Sequence, residues 1–134
     1  MKRIVWIGLV LLVIFQLNAY GQKKRDRVKV KPDTLAVDSV EYRLIVLDPG
    51  FETWLASKPS MNYYSKEYYE IKNKQYVIEW NYRYGDPMKY GNLYDSRIDY
   101  DPSVDYGLEL NYRLYYYFIF FEKTNHVKLL PGSR

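Results

Sequence analysis

The sequence predicts an α+β fold: a single small domain with a short antiparallel strand pair packed on two long aromatic-rich helices. Three observations lead there. Residues 65–84 contain no Gly or Pro, and residues 105–123 contain only Gly107, so both are long enough for helices and too long for ordinary strands. Residues 40–47 (VEYRLIVL) are rich in β-branched and aromatic side chains and stop at Asp48-Pro49-Gly50, which marks a strand. The chain has 17 Tyr, 5 Phe, 3 Trp and no Cys, so its core must be built from rings, without disulfides.

The chain opens with a leader. Met1-Lys2-Arg3 is basic, residues 4–15 (IVWIGLVLLVIF) are uncharged, and Ala19-Tyr20-Gly21 sets small residues before Gln22. This three-part pattern reads as a signal peptide over 1–21. Residues 22–39 follow as a basic flexible linker with little apolar periodicity. The positive-inside rule opposes moving its basic run across a membrane, which leaves an uncleaved N-terminal anchor and a cytoplasmic orientation as alternatives to cleaved export.

The globular domain spans 40–124. After the strand at 40–47, Asp48 and Pro49 suit a helix start, and Phe51, Trp54 and Leu55 share one face of a short helix. Ser65 suits a helix cap, with Glu67 in the first turn. Over 65–84, Tyr64, Tyr68, Ile71, Gln75, Ile78 and Tyr82 form one stripe, and Tyr69, Tyr76, Trp80 and Tyr84 form its neighbour. Gly85-Asp86-Pro87 stops that helix. Residues 85–95 read as a loop anchored by Tyr90 and Tyr94, and 97–100 (RIDY) as a short strand able to pair with 40–47. Asp105 suits the start of the second long helix, whose centre (LYYYFIFF) is strand-like in composition but helical in length. Residues 125–134 read as a mobile tail.

Charge excludes one function class. The full chain carries +4, yet residues 23–31 (KKRDRVKVK) hold six bases and one acid, and residues 32–134 hold twelve bases and fifteen acids. The basic excess sits on the linker and not on the domain, which argues against nucleic acid as a partner. No glycine-rich phosphate loop occurs, a Ser–His–Asp site would need His126 in the tail, and no cofactor is implied.

Three constellations are candidates for chemistry. Asp99, Asp101, Ser103 and Asp105 alternate as ligands of a hard cation would, although Val104 and Leu110 stand where a helix–loop–helix calcium site needs Gly and an acid. The plainer alternative is a turn followed by a helix cap. Asp48 or Glu52 beside Trp54, and Glu79 beside Trp80, are the residue types of a small glycan hydrolase. Tyr63, Tyr64, Trp54 and Trp80 are the candidate binding residues, because consecutive tyrosines on a helix cannot all face inward and amphipathic rings suit a ligand face.

The strings LDPGFETWLASKPSMNYYS, YVIEWNYR, NLY and IDYDPSVDYGLELNYRLYYYFIFF, together covering about 40–124, resemble an uncharacterised family of small exported envelope proteins of Gram-negative bacteria, a domain of unknown function. The resemblance implies a periplasmic or cell-envelope location and no particular activity. Many similar proteins carry a lipoprotein cysteine after the leader, and this chain has none. The expected function is a non-enzymatic binding or structural role, with an envelope protein or a glycan as partner. A small glycan-binding module or hydrolase is the alternative. Contact with the inner membrane is expected only if the leader stays uncleaved.

Overall fold

Residues 28–33 and 41–132 are described by the structure, a computed structural model. The expected signal peptide at 1–21 lies outside them. In chain order the elements are β1 (Val28–Asp33), β2 (Glu41–Val46), α1 (Phe51–Leu55), α2 (Lys66–Tyr84), α3 (Pro87–Tyr90) and α4 (Gly107–Asn125). The fold is α+β, as the sequence predicts.

The strand pair forms with a different partner from the one expected. β2 pairs antiparallel with β1, in a register that sets Val28 opposite Val46 and Val30 opposite Leu44. Residues 28–33 were expected to belong to the flexible linker because of their charge. Their Val-Lys-Val-Lys alternation has the period of a strand, and it buries Val28 while exposing Lys31. Residues 97–100 form no strand. Asn81 on α2 takes the place of a neighbouring strand: its amide donates to the Ile98 carbonyl at 2.9 Å and accepts from the Ile98 N–H at 2.9 Å. With both groups of Ile98 satisfied by one side chain, this segment has no need of a ladder.

α4 is the centre of the molecule. Ten of its nineteen residues are buried, among them Leu114, Tyr117, Phe118 and Phe121. A helix so apolar around its circumference needs neighbours on several sides. β2 and α1 cover one side, with Phe51 set edge-on to Tyr117 at 5.8 Å and to Phe120 at 5.5 Å. α2 covers another through Tyr69, Asn73, Tyr76, Val77 and Trp80. The stripe of Ile71, Ile78 and Tyr82 faces outward, at 60 %, 62 % and 57 % exposure.

Contacts between the two long helices advance in step: Asn73 meets Asn111, Tyr76 stacks on Phe118, and Trp80 meets Phe121. The helices therefore run parallel. Residues 85–106 carry the chain back along α2, a return of about 28 Å at the usual helical rise. The Ser65 hydroxyl caps α2 by accepting from the Tyr68 N–H at 3.1 Å, as expected. At the start of α4, Asp105 accepts the Gly107 N–H at 3.0 Å, and Gly107 itself takes φ +80°, which glycine adopts without strain.

The segment after α4, expected to be a mobile tail, folds back onto the core. Leu129 is buried, and its N–H donates to the Glu122 carboxylate at 2.7 Å. Arg83 donates to the Lys128 carbonyl at 2.7 Å. Leu129 and the side chains of Glu122 and Arg83 thus hold down a stretch whose polar composition and short length read as fraying.

Candidate functional site

The acidic loop does not assemble a metal centre. Asp101 accepts the Ser103 N–H at 2.9 Å and its hydroxyl at 2.7 Å, and these bonds hold its carboxyl below the usual range. Asp105 takes the Lys66 ammonium at 2.9 Å together with the Gly107 N–H, and both lower its pKa. Asp99 points to solvent. Among the described residues no group of three or more His, Asp or Glu is placed to hold a metal ion. The alternation over 99–105 is a turn and a helix start.

The hydrolase candidates are likewise engaged elsewhere. The Glu52 carboxylate is paired with the Arg113 guanidinium, Asp48 accepts the Tyr117 hydroxyl at 2.9 Å, and Glu79 accepts from Arg83 Nε at 2.7 Å.

The four candidate binding residues divide. Trp80 is fully buried and its indole N–H donates to the Ser96 carbonyl at 2.8 Å, which makes it a core residue. Trp54 is half-buried against Phe120 at 5.4 Å, with the Lys58 ammonium 4.2 Å from its ring centroid. Tyr63 and Tyr64 meet edge to face at 4.7 Å just before α2, and Tyr63 remains 63 % exposed. Of the four, Tyr64 lines a cavity.

That cavity, of about 580 Å³, lies between α2, α4 and the returning segment at 130–132. It is within the range of small-molecule sites, roughly 300–1,000 Å³. Tyr64 and Tyr68 form one wall, stacked at 4.2 Å with their planes 23° apart. Tyr76 and Tyr115 line it further along, Ile119 and Leu130 give it an apolar side, and Lys72 and Gln75 supply polar groups from α2. Burial pushes the Tyr64 phenol up, and it pushes Tyr115 up further, with a Tyr68 hydrogen bond adding to the shift. These hydroxyls are thus neutral at physiological pH, able to donate as well as accept. No Asp or Glu lines the cavity.

A sequence profile matches this chain over residues 4–133. The chain belongs to the family of unknown function DUF6146. The match takes in every described residue of the cavity, from Tyr64 to Gly132, and the apolar run at 4–15 as well. No curated protein and no solved structure matches the chain.

Sequence reasoning picked Tyr64 out of its run of tyrosines and did not pick Lys72 as a cavity residue. A signal for Lys72 exists: the positions three and four away on its helix are Tyr68, Tyr69, Gln75 and Tyr76, so no acid lies within helical reach. The contribution of Leu130 had no signal, since it depends on the fold-back.

Proposed function

We propose that this chain is an exported protein of the Gram-negative cell envelope with a binding role and no catalytic one, and that its ligand occupies the tyrosine cavity. The observation that carries the binding role is the cavity itself. Its rings are clustered yet leave open space between them, and the carboxylates that hydrolysis would need are fixed elsewhere by cations and hydroxyls. Phenol rings present an apolar face and a hydrogen-bonding edge together, which suits a ligand with CH faces and hydroxyls such as a sugar. The location rests on the leader, with its basic start, apolar run and small residues before Gln22. Among the described residues no helix is long and apolar enough to cross a membrane.

The test uses the chain as isolated from a Gram-negative host. Methyl glucoside, N-acetylglucosamine, glucuronate and glucose 6-phosphate are titrated while amide NMR shifts are followed. At least one sugar should shift the amides around Tyr64, Lys72 and Tyr115, and Tyr68→Ala should remove the response. Silence from the whole panel, or shifts confined to another surface, would overturn the cavity as the site. N-terminal sequencing of the same material should begin at Gln22; a start at Met1 in the soluble cytosolic fraction would overturn the location.

A further inference from the structure

We infer that the cavity selects an anionic sugar, a ring bearing a carboxylate or a phosphate, with its charge held at Lys72. This rests on the cavity being the binding site and goes beyond it by naming the ligand class.

The charge of Lys72 is left uncompensated. Two other cations of α2 have acid partners, Lys66 with Asp105 at 2.9 Å and Arg83 with Glu79 at 2.7 Å, and of the two lysines left, Lys72 and Lys74, Lys72 is the one that lines the cavity. Among the described residues no carboxylate pairs with Lys72. Its ammonium lies 5.9 Å from the centroid of the Tyr68 ring, a contact that steers the group without neutralising it. Among the described residues lining the cavity, Lys72 is the one that carries a charge. Lys72 is partly buried, and an ammonium beside an aromatic ring attracts an anion more strongly than one in open water does, because the ring displaces water and lowers the effective dielectric.

The neighbouring groups fit the rest of such a ligand. The Tyr64 and Tyr115 phenols of the same cavity stay protonated, so they can donate to the oxygens of a carboxylate or phosphate. The Gln75 amide both donates and accepts, as sugar hydroxyls require. The stacked Tyr64 and Tyr68 rings give the sugar a flat apolar face next to the charge.

The experiment compares glucuronate and glucose 6-phosphate with methyl glucoside, which has the ring without the charge, and with inorganic phosphate and acetate, which have the charge without the ring. Amide NMR titrations give each affinity. Both or either of the anionic sugars should bind about tenfold or more tightly than methyl glucoside, as one such contact at intermediate dielectric allows. Lys72→Gln should erase that preference, and Lys72→Arg should keep it. Glucuronate against glucose 6-phosphate then separates the carboxylate from the phosphate. Equal binding of methyl glucoside and both anionic sugars, or a preference that survives Lys72→Gln, would overturn the anionic assignment while leaving the cavity as the site. Inorganic phosphate binding as tightly as glucose 6-phosphate would overturn the sugar. If no probe binds at the cavity, this inference and the binding role of the cavity both fail. Thermal melts of both Lys72 variants should match the parent chain, because Lys72 has no fixed partner to lose.

Discussion

The two flanks of the α2–α4 pair are made of similar residues and are finished differently. On one flank the return segment lies over the seam and polar groups are matched across it. Lys66 meets Asp105, Asn73 donates to Asn111 at 2.9 Å, the Tyr100 hydroxyl donates to Asn111 at 2.8 Å, and Asn81 holds Ile98. On the other flank Tyr68 and Tyr76 meet Tyr115 edge-on at 5.8 Å and 6.4 Å, and the cavity lined by Lys72, Gln75 and Ile119 opens beside them. The first flank uses hydrogen-bonding side chains to fix one arrangement of the chain. The second borders an open cavity. The difference teaches that ring content does not distinguish core from cavity wall in this protein; the hydrogen bonds that tie the return segment to α2 and α4 do.

The sharpest way to break this contrast is to truncate a ring that the closed flank depends on. Trp80→Ala removes a fully buried indole and the hydrogen bond to Ser96, and should cost about 3–5 kcal/mol, read as a fall in the urea midpoint. Asn81→Ala should cost less, about 1–3 kcal/mol, by leaving the N–H and carbonyl of Ile98 without a partner. Hydrogen exchange at the Ile98 amide should speed up in that variant well before global unfolding. If that amide stays protected, another group satisfies it and the closed flank does not depend on Asn81. The smallest effect is expected on the open flank. Tyr68→Ala gives up mainly its stacking on Tyr64, about 0.5–1.5 kcal/mol, while removing binding. A loss as large as that of Trp80→Ala would show Tyr68 to be core, and the contrast between the flanks would collapse.

Much of the helical structure was legible in the sequence because its signals are local. Ser65 caps α2 through its own hydroxyl, and the span from Lys66 to Tyr84 has no breaker. The strand-like composition of α4 was outweighed by its length. What the sequence obscured was decided by contacts between distant residues. The charge of Lys29 and Lys31 hid a period-two pattern in β1, although Val28 and Val30 alternate with them as a half-buried strand requires. Residues 97–100 have the composition of a strand, and only the Asn81 side chain makes a strand partner unnecessary. Trp80 was read as a possible ligand platform because its burial depends on Phe121 and Tyr94, neither of which is near it in sequence. The cavity was half legible. Tyr64 was identified from its place in a run of tyrosines, whereas Leu130 enters the cavity only because Glu122 and Arg83 hold the segment after α4 in place.

Because α2 and α4 run the same way, they cannot zip together from a tight turn as antiparallel helices do. Segment 85–106 must first be laid back along α2, and the entropy of closing that loop precedes most of the apolar contacts that reward it. Until Phe121 joins them, Trp80 and Tyr94 have chiefly each other to pack against, so the aromatic centre of this fold closes only once α4 has docked.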